Sequence, residues 1–96
     1  METAIITLSK DGRITEWNKK AEQLFGLKKE NVLGRRLKDL PDFEEIGSVA
    51  ESVFENKEPV FLNMYKMGER YFNIRFSPFR NAKTQLLEGV IITIDD

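Results

Sequence analysis

The sequence predicts an α+β fold: a five-stranded antiparallel sheet in spatial order 2-1-5-4-3, numbering strands along the chain, with helices on one face. Three observations carry this. The chain opens with two short β-branched segments joined at Asp11-Gly12, and its middle holds one long helical periodicity. Its last segment, Glu88-Gly89-Val90-Ile91-Ile92-Thr93-Ile94, is apolar on both faces. A strand covered on both faces belongs inside a sheet. Placing it beside the first strand needs only short connections and one helical crossover, and the helices then close the core as a second layer.

Each element has its own signal. Ala4-Ile5-Ile6-Thr7-Leu8 is β-branched and bounded by polar residues, as a strand should be. Asp11-Gly12 suits a tight hairpin turn, because glycine tolerates positive φ. Arg13-Ile14-Thr15-Glu16-Trp17 alternates polar and apolar, the pattern of a half-buried strand. Asn18 can cap a helix carrying Ala21, Leu24 and Phe25 at helical spacing, with Gly26 as its left-handed end. A second short helix is expected over Lys28 to Leu33, closed by Gly34, and Leu37 and Leu40 flank an irregular turn ahead of Pro41. Phe43, Ile46, Val49, Ala50, Val53 and Phe54 then share one face of a longer helix. Asp42 and Glu45 have capping-box spacing at its start, and Asn56 with Pro59 ends it. Strands are expected over Val60 to Lys66, Arg70 to Phe79 and Leu87 to Ile94, with Met67-Gly68-Glu69 as a turn and Arg80 to Gln85 as a longer loop.

Composition bounds what such a chain can do. Ninety-six residues make one domain, expected to span 1–96, with room for one core. There are 15 basic and 16 acidic side chains, so nothing draws the chain to nucleic acid or anionic lipid. The basic runs at Lys28-Lys29 and Arg35-Arg36 with Lys38 are interleaved with acids and read as a solvated face. Apolar stretches fall far short of the roughly 20 residues a membrane span needs. Glu2 and Thr3 precede only a few apolar residues, unlike a signal peptide. The chain has neither cysteine nor histidine, which fits a reducing cytoplasm and removes thiolate chemistry, the commonest general base and the commonest metal ligand.

The ordered set of segments Ala4-Ile5-Ile6-Thr7-Leu8, Asp11-Gly12-Arg13-Ile14 and Trp17-Asn18-Lys19-Lys20-Ala21-Glu22-Gln23-Leu24-Phe25-Gly26 resembles the PAS family. Asn31-Val32-Leu33-Gly34-Arg35, Phe76-Ser77-Pro78-Phe79-Arg80 and Glu88-Gly89-Val90-Ile91 extend the resemblance over the whole chain. Each motif alone is weak; together, in order and at these spacings, they are specific. The resemblance implies the PAS (profilin-like) fold and a sensory role in signal transduction. The expected parent is a sensor histidine kinase of a two-component system, with this domain in the cytoplasm. On that expectation the partners are the kinase's dimerisation, phosphoacceptor and catalytic domains, or a second copy in a homodimer. Related modules also precede cyclases and transcriptional regulators. The family's Asp-x-Thr element, which leads into a following helix, would begin at Asp96 or Asp95, making both candidates for signal relay.

Site chemistry is then narrow. Haem relatives use an axial ligand, commonly histidine. Met64 or Tyr65 could ligate in principle, but packing or surface roles are the expectation. Light-sensing flavin relatives need a cysteine, and a glutamine on the last strand; Gln85 lies before that strand. No haem or flavin cofactor is therefore expected. Carboxylate pairs at Glu44-Glu45 and Asp95-Asp96 read as solvated, and no Walker or Rossmann loop is present. No catalytic or metal residue is assigned, and this fragment is not expected to be an enzyme. What remains is a core or a small-molecule pocket lined by Trp17, Leu24, Phe25, Val53, Phe54, Phe72, Ile74 and Phe76, with core the simpler reading of so many phenylalanines. Ile5, Thr7, Tyr71, Asn73, Arg75 and Thr93 alternate onto the opposite sheet face and are the candidate partner interface.

Overall fold

The computed structural model of the chain describes residues 3–96; Glu2, on which the signal-peptide argument partly rests, lies outside the described residues. The chain runs β1 (Ala4–Ser9), β2 (Ile14–Trp17), α1 (Lys19–Phe25), α2 (Lys29–Val32), a 3₁₀ turn (Leu37–Asp39), α3 (Glu44–Asn56), β3 (Val60–Met67), β4 (Arg70–Arg80) and β5 (Leu87–Asp95). The sheet order is β2-β1-β5-β4-β3, with every neighbouring pair antiparallel. The predicted order and the central position of the last strand are what the structure has.

Strand alternation decides which side is covered. Ala4, Ile6 and Leu8 from β1, Phe72, Ile74 and Phe76 from β4, and Val90, Ile92 and Ile94 from β5 are all buried. They share one core with Ala21, Val32, Leu37, Leu40, Phe43, Ile46, Ala50 and Val53 from the helical stretch. The helices therefore cover one face of the sheet, and the intervening residues of each strand point away from them.

The turn from β2 into α1 is held by one side chain. Asn18 Oδ1 accepts from the Ala21 amide at 3.0 Å, the expected helix cap, and also from the Ile5 amide at 2.9 Å. Its Nδ2 donates to the Thr3 carbonyl at 2.9 Å, so the cap is also a brace between α1 and the start of β1. Gly26 ends α1 at φ 69°, and its amide donates to the Glu22 carbonyl.

Several local expectations shift. β2 begins at Ile14 rather than Arg13, because Arg13 forms a bridge with Arg36 and its guanidinium donates to the Gly34 carbonyl at 2.9 Å. The second helix is only Lys29–Val32. The Asp42–Glu45 capping box does not form. Phe43 is the residue that caps α3, and its buried ring packs edge-on to Trp17 and Phe25. Anchoring that ring leaves Asp42 one position too early, at φ 71°, while Glu45 bonds elsewhere. At the far end α3 closes on Lys57, which takes the left-handed conformation glycine usually supplies.

Two glycines mark close approaches. A Cβ on Gly47 would sit 2.6 Å from Lys38 Cβ, so α3 lies almost against the 3₁₀ turn. A Cβ on Gly89 would sit 1.9 Å from the Leu8 carbonyl oxygen, a backbone atom that cannot swing aside. Gly89→Ala must therefore push β5 off β1. Expected is a loss of about 2–3 kcal/mol of stability, which in a domain this size lowers the melting temperature by roughly 10 °C or more. Thermal unfolding followed by circular dichroism measures it, and an unchanged midpoint would show that the two strands separate there without cost.

Candidate functional site

On the inner face the candidate pocket residues do not surround one common interior cavity. Trp17, Phe25, Phe43 and Phe72 form a chain of aromatic contacts with centroids 5.0–6.1 Å apart. Trp17 is buried, and its indole N–H donates to the Leu27 carbonyl at 3.0 Å, so its one polar atom is satisfied inside. Val53, Phe72, Ile74 and Phe76 are buried, and Leu24 and Phe25 are half-buried at the edge of the same layer. Phe54 does not join the Phe25–Phe72 contact. It lines a cleft with Leu8, Ala50 and Val90 whose space is about 20 Å³, room for a single water. The aromatic rings themselves occupy the interior.

The outer face is different. Register places Ile5 opposite Thr93, Thr93 opposite Arg75, and Arg75 opposite Phe61, so four outward side chains form one row across β1, β5, β4 and β3. Ile5 is 36% exposed and Phe61 56% exposed, large apolar groups that the chain itself leaves uncovered. The Arg75 guanidinium lies 4.7 Å from the centroid of the Phe61 ring, a cation–π contact that holds both side chains against the sheet. With Asn63 and Asn73 this row floors an open trough of about 460 Å³. Asn73 is exposed, and its side chain accepts from the Met64 amide at 3.0 Å. Tyr71 is half exposed further along β4, and Thr93 is half-buried within the row.

Thr7 stands apart from the other candidate interface residues. It faces outward but is only 8% exposed, because its neighbour Glu16 on β2 folds over it and accepts its hydroxyl hydrogen at 2.6 Å. Phe61 is an exposed apolar residue of this face that the sequence does not single out, and Met64, also exposed, stands at an irregularity in β3. β3 shifts register against β4 between Leu62 and Tyr65, with Met64 at φ 57°, so the partner of Phe61 is not the one counted back from the β3–β4 turn. Phe61's pairing with Arg75 is visible only once the register is known.

Of the last two carboxylates, Asp95 lines the trough. Asp95 accepts from the Thr3 hydroxyl at 2.6 Å and lies opposite Asn73. Asp96 forms an ion pair with Arg70 at the β3–β4 turn. Among the described residues no group of three or more carboxylates is gathered to hold a metal ion. Neither Met64, two-thirds exposed, nor Tyr65, bonded to α3, faces an interior space where iron could sit. Among the described residues no helix is long and apolar enough to cross a membrane.

Comparison with known proteins agrees with this architecture. A family profile described as a PAS domain matches residues 2–96. No curated protein matches the sequence. Among solved structures, the PAS domain of histidine kinase ThkA is 98% identical, with each chain fully covered and a TM-score of 0.97. Histidine kinase ThkA in complex with the response regulator protein TrrA is 97% identical over this chain, with a TM-score of 0.94; the chain spans 29% of that longer protein. A domain of an HTR-like protein from Haloarcula marismortui shares only 18% identity, over 98% of this chain and 96% of its own, yet superposes with a TM-score of 0.78.

One contact fixes β3 to the helical layer. Tyr65 Oη donates to Glu45 Oε1 at 2.6 Å. Burial first, then this bond and the charges of Glu45 and Glu44, push the Tyr65 phenol up to about 12. The folded state therefore keeps the proton while the unfolded chain releases it near pH 10. The stability this contact contributes is complete below about pH 10 and drains away as pH rises toward about 12. Phenolate absorbance should show one late-titrating tyrosine. In Glu45→Gln that titration should move down without reaching the ordinary value, since burial remains; an unmoved curve would exclude the carboxylate as a cause.

Proposed function

Because the chain belongs to the PAS domain family, we propose that it is the regulatory domain of a sensor histidine kinase and works through protein contacts at its outer sheet face. The observation that carries the location is the row Ile5–Thr93–Arg75–Phe61, where two apolar groups and a stacked arginine lie uncovered on an otherwise complete sheet. Enrichment in aromatic residues and arginine is the composition of interface centres. Near-identity with the PAS domain of histidine kinase ThkA supports the kind of parent, and the ThkA–TrrA complex supports a response regulator as that parent's downstream partner. In this reading residues 1–96 are one domain, located in the cytoplasm with the kinase's dimerisation and catalytic parts. The phosphoacceptor histidine must lie outside this chain, which has none.

The mechanism is a population shift. A domain whose core is filled and whose sheet face is open changes output by altering which contacts that face makes. Each arrangement of the attached helix is favoured only by the difference in those contacts. Ile5, Tyr71, Asn73, Arg75 and Thr93 are the contact residues proposed, with Phe61 added from the structure and Thr7 contributing least. Asp95 and Asp96, anchored on Thr3 and Arg70, connect that face to whatever follows.

Ile5→Lys and Tyr71→Glu place charges on the proposed contact without touching the core. In the kinase that carries this domain, each should weaken domain association by about tenfold or more, the scale of an interface hot spot, and change autophosphorylation, while the isolated chain melts as before. Sedimentation and a phosphorylation assay test this together. Unaltered association and output in both variants would overturn the assignment of the face.

A further inference from the structure

A second recess, away from the outer face, has the chemistry of a ligand site. It opens where the end of α1 meets the β3–β4 turn, and its space is about 200 Å³. That is below the roughly 300–1,000 Å³ of sites for drug-sized molecules, so an occupant would be of amino-acid size. Leu24, Phe25, Met67 and Phe72 supply the apolar lining, with Phe25 and Phe72 in contact at 6.1 Å. Asp42 and Arg70 are its charged residues, one of each sign. The Asp42 carboxylate has no hydrogen bond or ion pair among the described residues, and its backbone is held at φ 71°. Arg70 lies 5.4 Å over the Phe72 ring and is half exposed. Its planar fork of donors matches a carboxylate, and the one it now holds is Asp96.

We propose that this recess binds a small zwitterion with an apolar body, an α-amino acid bearing an aromatic or branched side chain, whose carboxylate takes Arg70 from Asp96. The ammonium faces Asp42, and the side chain lies on Phe25 and Phe72. Occupant and Asp96 compete for the same guanidinium, so binding releases the C-terminal end of β5, and by reciprocity a restrained end weakens binding. The binding itself stands on the recess. Its effect on output rests on the signalling role proposed above.

Titration of the 96-residue chain with phenylalanine and leucine, followed by amide NMR and calorimetry, tests it. Shifts should be confined to the neighbourhood of Asp42, Met67, Arg70, Phe72 and Asp96. Phenylpropionate, lacking the ammonium, and phenethylamine, lacking the carboxylate, should each bind about tenfold or more weakly. Arg70→Gln should abolish binding, and Arg70→Lys should keep only part of it because the fork is lost. Asp96→Asn removes the competitor and should tighten binding a few-fold, about fivefold at most, since exposed ion pairs are weak. No shift at millimolar amino acid, or equal binding of phenethylamine, overturns the site. Unchanged affinity in Asp96→Asn overturns the competition. Normal binding with unaltered kinase output would count against the signalling role and leave the site standing.

Discussion

The pairing of β5 on both edges is the constraint on which the molecule depends. Six residue pairs join it to β1 and eight join it to β4. Without it the sheet is two separate hairpins, β1–β2 and β3–β4, and an isolated hairpin is marginal in water. Val90, Ile92 and Ile94 also supply the middle of the inner face, so the helical layer rests on the same strand that joins the halves. This arrangement puts long-range contacts at the centre of the fold. The two halves, separated by the whole helical stretch, can meet only after the chain end has found both, a topology that slows folding.

Much of this was legible because single side chains carried the signal. The double-sided apolar run of β5 announced its position, Asp11-Gly12 the hairpin, and Asn18 the helix start. What stayed hidden lies where one position depends on a partner distant in sequence. Asp42, Lys57, Met64 and Gln85 adopt positive φ without being glycine, so the residue types that mark such turns gave no warning. The capping box failed because burying Phe43 outweighed a bond to Asp42. Thr7 has the correct parity for the outer face, yet Glu16 from the next strand covers it. Phe61 reaches that face by a register that the irregularity in β3 resets. As for the site, the alternation of β4 separated the inward Phe72, Ile74 and Phe76 from the outward Tyr71, Asn73 and Arg75, but no periodicity could show Arg70 joined to Asp96.

The two faces of the sheet divide the work between them. Inside, four aromatic rings fill the layer between sheet and helices, which favours one well-packed state over an adaptable cavity. Outside, Arg75 is already stacked on Phe61, so a partner docking as proposed would cost these two side chains little further entropy. At the edges of the sheet, Tyr65 ties β3 to α3 and Arg70 ties the β3–β4 turn to Asp96.

The Asn18 brace and the Thr3–Asp95 bond lie at the same end of the sheet as the Ala4–Ile94 pair. Because β1 and β5 run antiparallel, tension applied between residues 3 and 95 does not load all their hydrogen bonds at once. It opens them like a zipper, the Ala4–Ile94 rung first and the Ser9–Gly89 rung last. Mechanically the sheet is soft along the line between residues 3 and 95, however well its core is packed.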